Sequence, residues 1–373
     1  MPQAQLDDPE GTLAMLRDSV ATLASRFPGP ASVRAKRAAG GDRDAALWQA
    51  MAEAGWSAIL LPEELGGAGL TLAEQVVVSE ALGRALISEP VAISAVLSSR
   101  LLAAAAQSQE RERLAAGLVG GNLALAPAWI DAPGRAMTAQ KTPGGGFSLT
   151  GTKRHVDLAL SASDFLVTAD MADGVGLFAV RAGGPGMSVE TAAGVDGAVI
   201  GTLRLERCAV PVEALIASAP SLDDLMDEPI AAARVALAAE LAGIASRAVE
   251  ITIDYTKGRV QFGKPIASFQ VIQHRLVDMW TDAEFACAAV VNAVETLALG
   301  DDRAGRMAVL AAKARAGDAA VSVCRRAVHL HGAMGFTDES DIGLYLKRAT
   351  GLNATLGQPE DLRLQFVNLE RAA

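Results

Sequence analysis

Between Arg259 and Met279 the chain reads RVQFGKPIASFQVIQHRLVDM. An arginine, a small Gly-Lys-Pro turn and a Phe-Gln-x-x-Gln run stand between two long stretches of helical periodicity, a combination few folds need. Upstream, Leu237, Leu241, Ile244, Ala248, Ile251 and Tyr255 step by four and three. Downstream, Leu310, Ala314, Gly317, Val321, Cys324 and Val328 do the same. A seam of that period suits nearly antiparallel bundle packing. Gly317 inside such a helix costs roughly 1 kcal/mol against alanine, so a close helix crossing is its expected reason.

The rest of the chain divides by its grammar. Helical spacing predicts helices over Pro9–Phe27, Asp44–Ala54, Leu72–Leu86 and Val91–Ala106. Near Leu123 short apolar segments begin to alternate with Gly, Pro and Asp clusters. Phe147–Gly151, Asp164–Ala169 and Val175–Val180 read as strands. Leu203 and Leu205 alternate with Arg204 and Glu206, the pattern of a half-buried strand. Helical spacing returns at Ser221. The expected fold class is therefore α+β: a helical domain over residues 1–120, a β-barrel or sandwich over 121–220, and a helical bundle of four-helix type over 221–373.

Bulk properties narrow the partners. A chain of 373 residues exceeds one small core. Hydrophobic content of 51% with 4% aromatics implies an aliphatic interior of packed helices. Net charge is −10, which argues against nucleic acid and anionic membrane as partners. Cys208, Cys287 and Cys324 are widely separated and odd in number, as expected of buried free thiols in a reducing, cytoplasmic setting. No metal-ligand spacing is present. The first residues, MPQAQLDDPEGT, are polar and acidic, unlike a secretory leader. No uncharged apolar run reaches the roughly 18 residues of a spanning helix.

Three segments carry a resemblance. They are the Arg259 segment, GWSAILLPEELGGAGL (Gly55–Leu70) and HLHGAMGFTDESDIGLYLKRA (His329–Ala349). Together they resemble the acyl-CoA dehydrogenase family over nearly the whole chain, with LYLKRA similar to a bacterial branch. The resemblance implies three domains and FAD. It also implies α,β-desaturation of an acyl-CoA thioester, with electrons passed to an electron-transfer flavoprotein or similar acceptor. In that family the arginine and the aromatic beside the turn reach a neighbouring subunit's FAD, which implies a tetramer built on the C-terminal bundle.

The candidate cofactor-binding residues follow from it. Arg259 offers a rigid donor fork suited to phosphate, with a surface ion pair as the plain alternative. Phe262 is either a core residue or a wall against the cofactor. Gln270 either bonds the cofactor or pairs across the bundle. Gly332 and Gly335 let backbone amides approach a ligand, or simply cap a helix. His329 stands where the family has a flavin-contacting glutamine and can still donate one hydrogen bond. Arg234 is the candidate substrate-binding residue.

The expected base is missing. The reaction needs a carboxylate beside the substrate to take the α-proton. The family keeps it in one of two places, and here those places hold Leu356 and Ala233. The loop that lines flavin and CoA reads LAPAWIDAPGR, without Gly-Ser-Asp, and the segment behind the flavin reads RHVD. Glu240, about 10 Å along the helix from Ala233, is the one substitute base, with an ion pair between subunits or within the bundle, an arginine being one candidate partner, as its plain alternative. Four readings follow. The first is a subunit of a heteromeric dehydrogenase, similar to those acting on steroid side-chain thioesters, whose homologous partner supplies the base. The others are a self-sufficient dehydrogenase using Glu240, a flavin oxidase or monooxygenase of the same fold, and a non-catalytic scaffold.

Overall fold

The computed structural model describes residues 1–371. Capping chemistry sets several helix starts. Asp44 accepts from Ala46 N and Leu47 N, both at 3.1 Å, and opens α3. Ser221 accepts from Asp224 N at 3.2 Å at the head of the longest helix. The helices are α1 (Thr12–Arg26), α2 (Gly29–Ala39), α3 (Ala45–Glu53), α4 (Leu72–Ala85), α5 (Ser98–Ala104) and α6 (Gln109–Val119). After the strands come α7 (Leu222–Gly258), α8 (Gln270–Ala298), α9 (Asp302–His331), α10 (Ile342–Ala354) and α11 (Pro359–Arg371). The predicted Val91–Ala106 helix is split: Val91–Leu97 is π-helical and only Ser98–Ala104 is α-helical. Contacts group the chain into two units, residues 1–34, 72–88 and 234–373 in one and 35–71 and 89–233 in the other.

The second unit is built on one eight-stranded sheet. Its strands are β1 (Leu125–Ala128), β2 (Thr138–Lys141), β3 (Phe147–Asp157), β4 (Asp164–Met171), β5 (Gly174–Arg181), β6 (Met187–Ala193), β7 (Val199–Val210) and β8 (Leu215–Ala219). The order is β6-β7-β3-β2-β4-β5-β8, with β1 added alongside β4. The sheet is mixed, because β1 and β2 both pair parallel with β4. The alternation expected in β7 holds: Leu203 and Leu205 are fully buried while Arg204 and Glu206 face out. Phe147 and Phe178 meet edge-on at 5.1 Å in the core behind it. Two register shifts between β3 and β7 bracket the stretch from Gly151 to Arg154.

The first unit is the bundle. Its helices approach closely where residues are small. A Cβ on Gly83 of α4 would lie 2.1 Å from the Glu240 carbonyl oxygen of α7. Reciprocally, a Cβ on Gly243 would lie 2.0 Å from the Glu80 carbonyl oxygen. Gly317 has the expected reason: a Cβ there would strike Asn353 Oδ1 of α10 at 2.0 Å. By length and composition α7 is apolar enough to cross a membrane, but its seam residues from Val235 to Val249 are buried in the bundle core. All three cysteines are free and buried, as expected.

Candidate functional site

Two ligand-type motifs, one opened by Arg259 and the other by His329, meet at one end of the bundle. At the end of α7, Arg259 N donates to Tyr255 O at 2.9 Å. Ile266 N donates to Arg259 O at 2.8 Å and closes a small hairpin of β9 (Val260–Gln261) and β10 (Lys264–Pro265). At the end of α9, the His331 ring stacks on Tyr255 at 4.2 Å. Tyr255 Oη donates to His331 O at 3.1 Å. His331 Nδ1 lies 2.8 Å from Ala327 O, and burial pushes the His331 imidazole below its ordinary range. This clasp fixes the hairpin beside the Gly332–Gly335 turn.

The groups at this end are open to a ligand. Arg259 is exposed, and its guanidinium makes no ion pair among the described residues. Phe262 is 91% exposed and sits at φ 54°, followed by Gly263 at φ 77°. A left-handed conformation costs a bulky side chain roughly 1–2 kcal/mol. Phe269 braces the hairpin, with its ring 6.1 Å from Phe262 and beneath Lys264 Nζ at 4.4 Å. Gln270 opens α8, and its side chain is exposed. His329 is exposed as well. Gly332, at φ 61°, ends α9 with its backbone open, whereas Gly335 is buried, and a Cβ there would come within 2.5 Å of Val328 O. A cleft of about 170 Å³ opens beside this turn, between Val328, Phe336, Leu344 and Lys347. An exposed cation, a protruding aromatic ring and open backbone at a glycine turn suit an anionic, ring-bearing cofactor such as FAD.

The turn between α10 and α11 holds no proton acceptor in its side chains where the sequence puts Leu356. Leu356 adopts φ 59° and Gly357 φ 114°. Arg234 Nε donates to Leu356 O at 2.9 Å. Lys313 Nζ, fully buried, donates to Asn353 O at 3.1 Å and to Gly357 O at 3.3 Å. Burial, with Arg234 nearby, pulls the Lys313 ammonium down to about 7. Ala233 is fully buried. Glu240 is engaged: its Oε1 accepts from Arg348 Nη2 at 2.8 Å and Nε at 3.0 Å, with both side chains almost wholly buried. Of the two roles open to Glu240 in the sequence, the structure shows the ion pair. No cluster of metal-ligating side chains occurs among the described residues.

Sequence reasoning missed the Tyr255–His331 clasp and the role of Lys313. A lysine at the apolar period of α9 was the available signal for the second. The stacking of Tyr255 on His331 depends on two helix ends meeting, which no local pattern encodes.

Models of known families match most of the chain. That of the acyl-CoA dehydrogenase N-terminal domain matches residues 11–122, and that of the acyl-CoA dehydrogenase C-terminal domain matches residues 224–366. Acyl-CoA dehydrogenase IpdE2 of Mycobacterium tuberculosis is 31% identical over 350 residues, covering 93% of this chain and 94% of that protein. Among solved structures, a variant of the Tcur3481-Tcur3483 steroid ACAD is 30% identical, with a TM-score of 0.84 over 96% of this chain and 98% of that one. The ChsE4-ChsE5 complex from Mycobacterium tuberculosis is 28% identical, with a TM-score of 0.88 over 98% of each chain.

Proposed function

The chain belongs to the acyl-CoA dehydrogenase family, oxidoreductases that act on CH–CH bonds, and on that premise we propose that it is a heteromeric flavoprotein subunit without a catalytic base of its own. In this reading the subunit serves α,β-desaturation of an acyl-CoA thioester, and a homologous subunit supplies the carboxylate that takes the α-proton. Bound FAD would supply the acceptor for the hydride that leaves the β-carbon. Arg259 would hold a cofactor phosphate, and Phe262, Gln270, His329 and the Gly332–Gly335 turn would hold the rest of the cofactor. Arg234 and Lys313 hold the turn that carries Leu356. The single observation that carries the reading is the convergence of the Arg259 hairpin and the Gly332 turn, through Tyr255 and His331, on an exposed bundle end.

Further observations support the heteromeric form. Val277, Trp280 and Phe285 leave α8 with an exposed apolar face, as an assembly surface would. Of the two similar structures, one is named a steroid ACAD and the other a ChsE4-ChsE5 complex, which supports a steroid-type substrate and a second, different subunit; a steroid side-chain thioester and a tetramer are part of the proposal. An electron-transfer flavoprotein or similar acceptor, and a cytoplasmic location, complete the proposal. The self-sufficient alternative needs Glu240 as base, and the Arg348 pair stands against it.

Visible spectroscopy of the purified chain, alone and mixed with a homologous subunit, tests this. The expected result is stoichiometric flavin and acyl-CoA turnover only in the mixture. Turnover by the chain alone would favour a self-sufficient enzyme, and absence of flavin even in the mixture would favour a scaffold.

A further inference from the structure

Lys313 and Asn353 leave complementary groups unused. Lys313 of α9 is fully buried, and among the described residues its Nζ donates to two acceptors, Asn353 O at 3.1 Å and Gly357 O at 3.3 Å. Asn353 of α10 has its side-chain Oδ1 buried without a hydrogen-bond partner among the described residues. That oxygen rests on Gly317, where a Cβ would lie 2.0 Å from it. Gly317 is four residues from Lys313, so both lie on one face of α9. The backbone carbonyl of Asn353 thus serves Lys313, while its side-chain carbonyl sits one turn away against a residue with no side chain.

A lysine ammonium carries three donors, whereas the neutral amine carries two and a lone pair. Two acceptors therefore satisfy the neutral form and leave the charged form one bond short. A buried charge one bond short is costly, in keeping with the fall of Lys313 to about 7. The lone pair of the neutral amine would repel Asn353 Oδ1, which accounts for the seat of that oxygen on Gly317. A proton added to Lys313 supplies the one donor that Asn353 Oδ1 lacks. Charges from the surrounding helices bear on the balance. Arg234 of α7 disfavours the ammonium and Asp318 of α9 favours it. Arg363 of α11 pairs with Asp318, and Arg348 of α10 pairs with Glu240.

We propose that Lys313 and Asn353 form a proton-operated latch on the turn between α10 and α11. With Lys313 neutral, Asn353 Oδ1 rests on Gly317. With Lys313 protonated from solvent, the Asn353 side chain swings to accept the third hydrogen. The turn shifts with it, because Lys313 also holds Gly357 O and Arg234 holds Leu356 O. Leu356 lies between those bonds at φ 59°, so its side chain follows the latch. The latch lies wholly within the bundle unit and needs no cofactor.

Nuclear magnetic resonance of the full chain tests this, following the lysine ε-carbons, the asparagine side-chain amides and the leucine methyl groups as pH is varied. The Lys313 signal, assigned by its loss in Lys313→Met, should titrate near about 7. The Asn353 amide and Leu356 methyl signals should shift with the same midpoint, and should stop responding in Lys313→Met. Asn353→Leu keeps nearly the same shape without the oxygen, so the ammonium loses its third acceptor. The Lys313 midpoint should then fall by about one pH unit, a tenfold loss of proton affinity. If Lys313→Met does not fold, the one lysine signal that moves in the Asn353 variant identifies Lys313. If Asn353→Leu does not fold, Asn353→Ala carries the same comparison. A Lys313 signal that stays charged through neutral pH overturns the latch. A titrating Lys313 with unmoved Asn353 and Leu356 signals overturns it as well. An unchanged midpoint in the Asn353 variant overturns Asn353 as the acceptor.

Discussion

Arg259 stands at an exposed bundle end with its guanidinium free of ion pairs among the described residues, so its loss disturbs little else. Arg259→Ala should weaken FAD retention in the assembled complex by about 1.5–3 kcal/mol, the worth of a charge-assisted bond to phosphate. Flavin content after dialysis measures this, and unchanged content would make Arg259 merely structural. Glu240 is the opposite case, buried and paired. Glu240→Gln removes the carboxylate charge that faces the buried Arg348 guanidinium and should cost roughly 3–5 kcal/mol of stability. Adding Arg348→Met should recover most of that loss, because replacing both partners avoids an unpaired buried charge. Denaturant unfolding of the single and double variants reads both numbers.

Between elements, α4 and α7 touch through Gly83 and Gly243, with no room for a methyl group. Gly243→Ala should destabilise by about 1–3 kcal/mol, through separation of the helices, despite alanine's better helix propensity. A midpoint shift in denaturant unfolding measures it, and a stabilised variant would show that the crossing adapts. The same crossing carries Glu80, whose Oε1 accepts from Ala4 N at 3.3 Å. Burial pushes the Glu80 carboxyl up from 4.5 to about 7. Between those values the folded chain holds more protons than the unfolded one, so stability falls as pH rises through that window, by ~3 kcal/mol at most. Lys313 works in the other direction. Its folded value of about 7 lies below the ordinary 10.5, so its contribution recovers as pH rises between the two. Unfolding free energies at pH 5, 7 and 10 should therefore pass through a minimum near pH 7, with Glu80→Gln lessening the acid-side slope to which the buried Glu89, also raised, contributes.

Over the whole molecule, legibility follows the range of the interactions. Seams such as Leu237 to Tyr255 and alternations such as Leu203 to Glu206 are local, and both appear where the sequence places them. The helix of Gly29–Ala39 has no clear sequence signal, because Gly and Pro at its head and the cations Arg34, Lys36 and Arg37 along it hide its short apolar face. The parallel pairing of β1 with β4 is hidden too, since strands separated by β2 and β3 leave no adjacent signature. At the candidate site, motif residues such as Arg259 and Gly332 are legible as chemistry. The clasp that unites them is not, because it depends on where two long helices end.

The central claim concerns which chain owns the base. It is tested by the Glu240→Gln, Arg348→Met double variant, assembled with a homologous subunit, with acyl-CoA dehydrogenation followed by dye reduction. Removal of a catalytic base costs roughly two to four orders of magnitude in rate. With flavin content and assembly intact, turnover is predicted to stay within a few-fold of wild type, because the carboxylate belongs to the other chain. A fall of two orders of magnitude or more, under those same conditions, would place the base at Glu240 and contradict the heteromeric assignment.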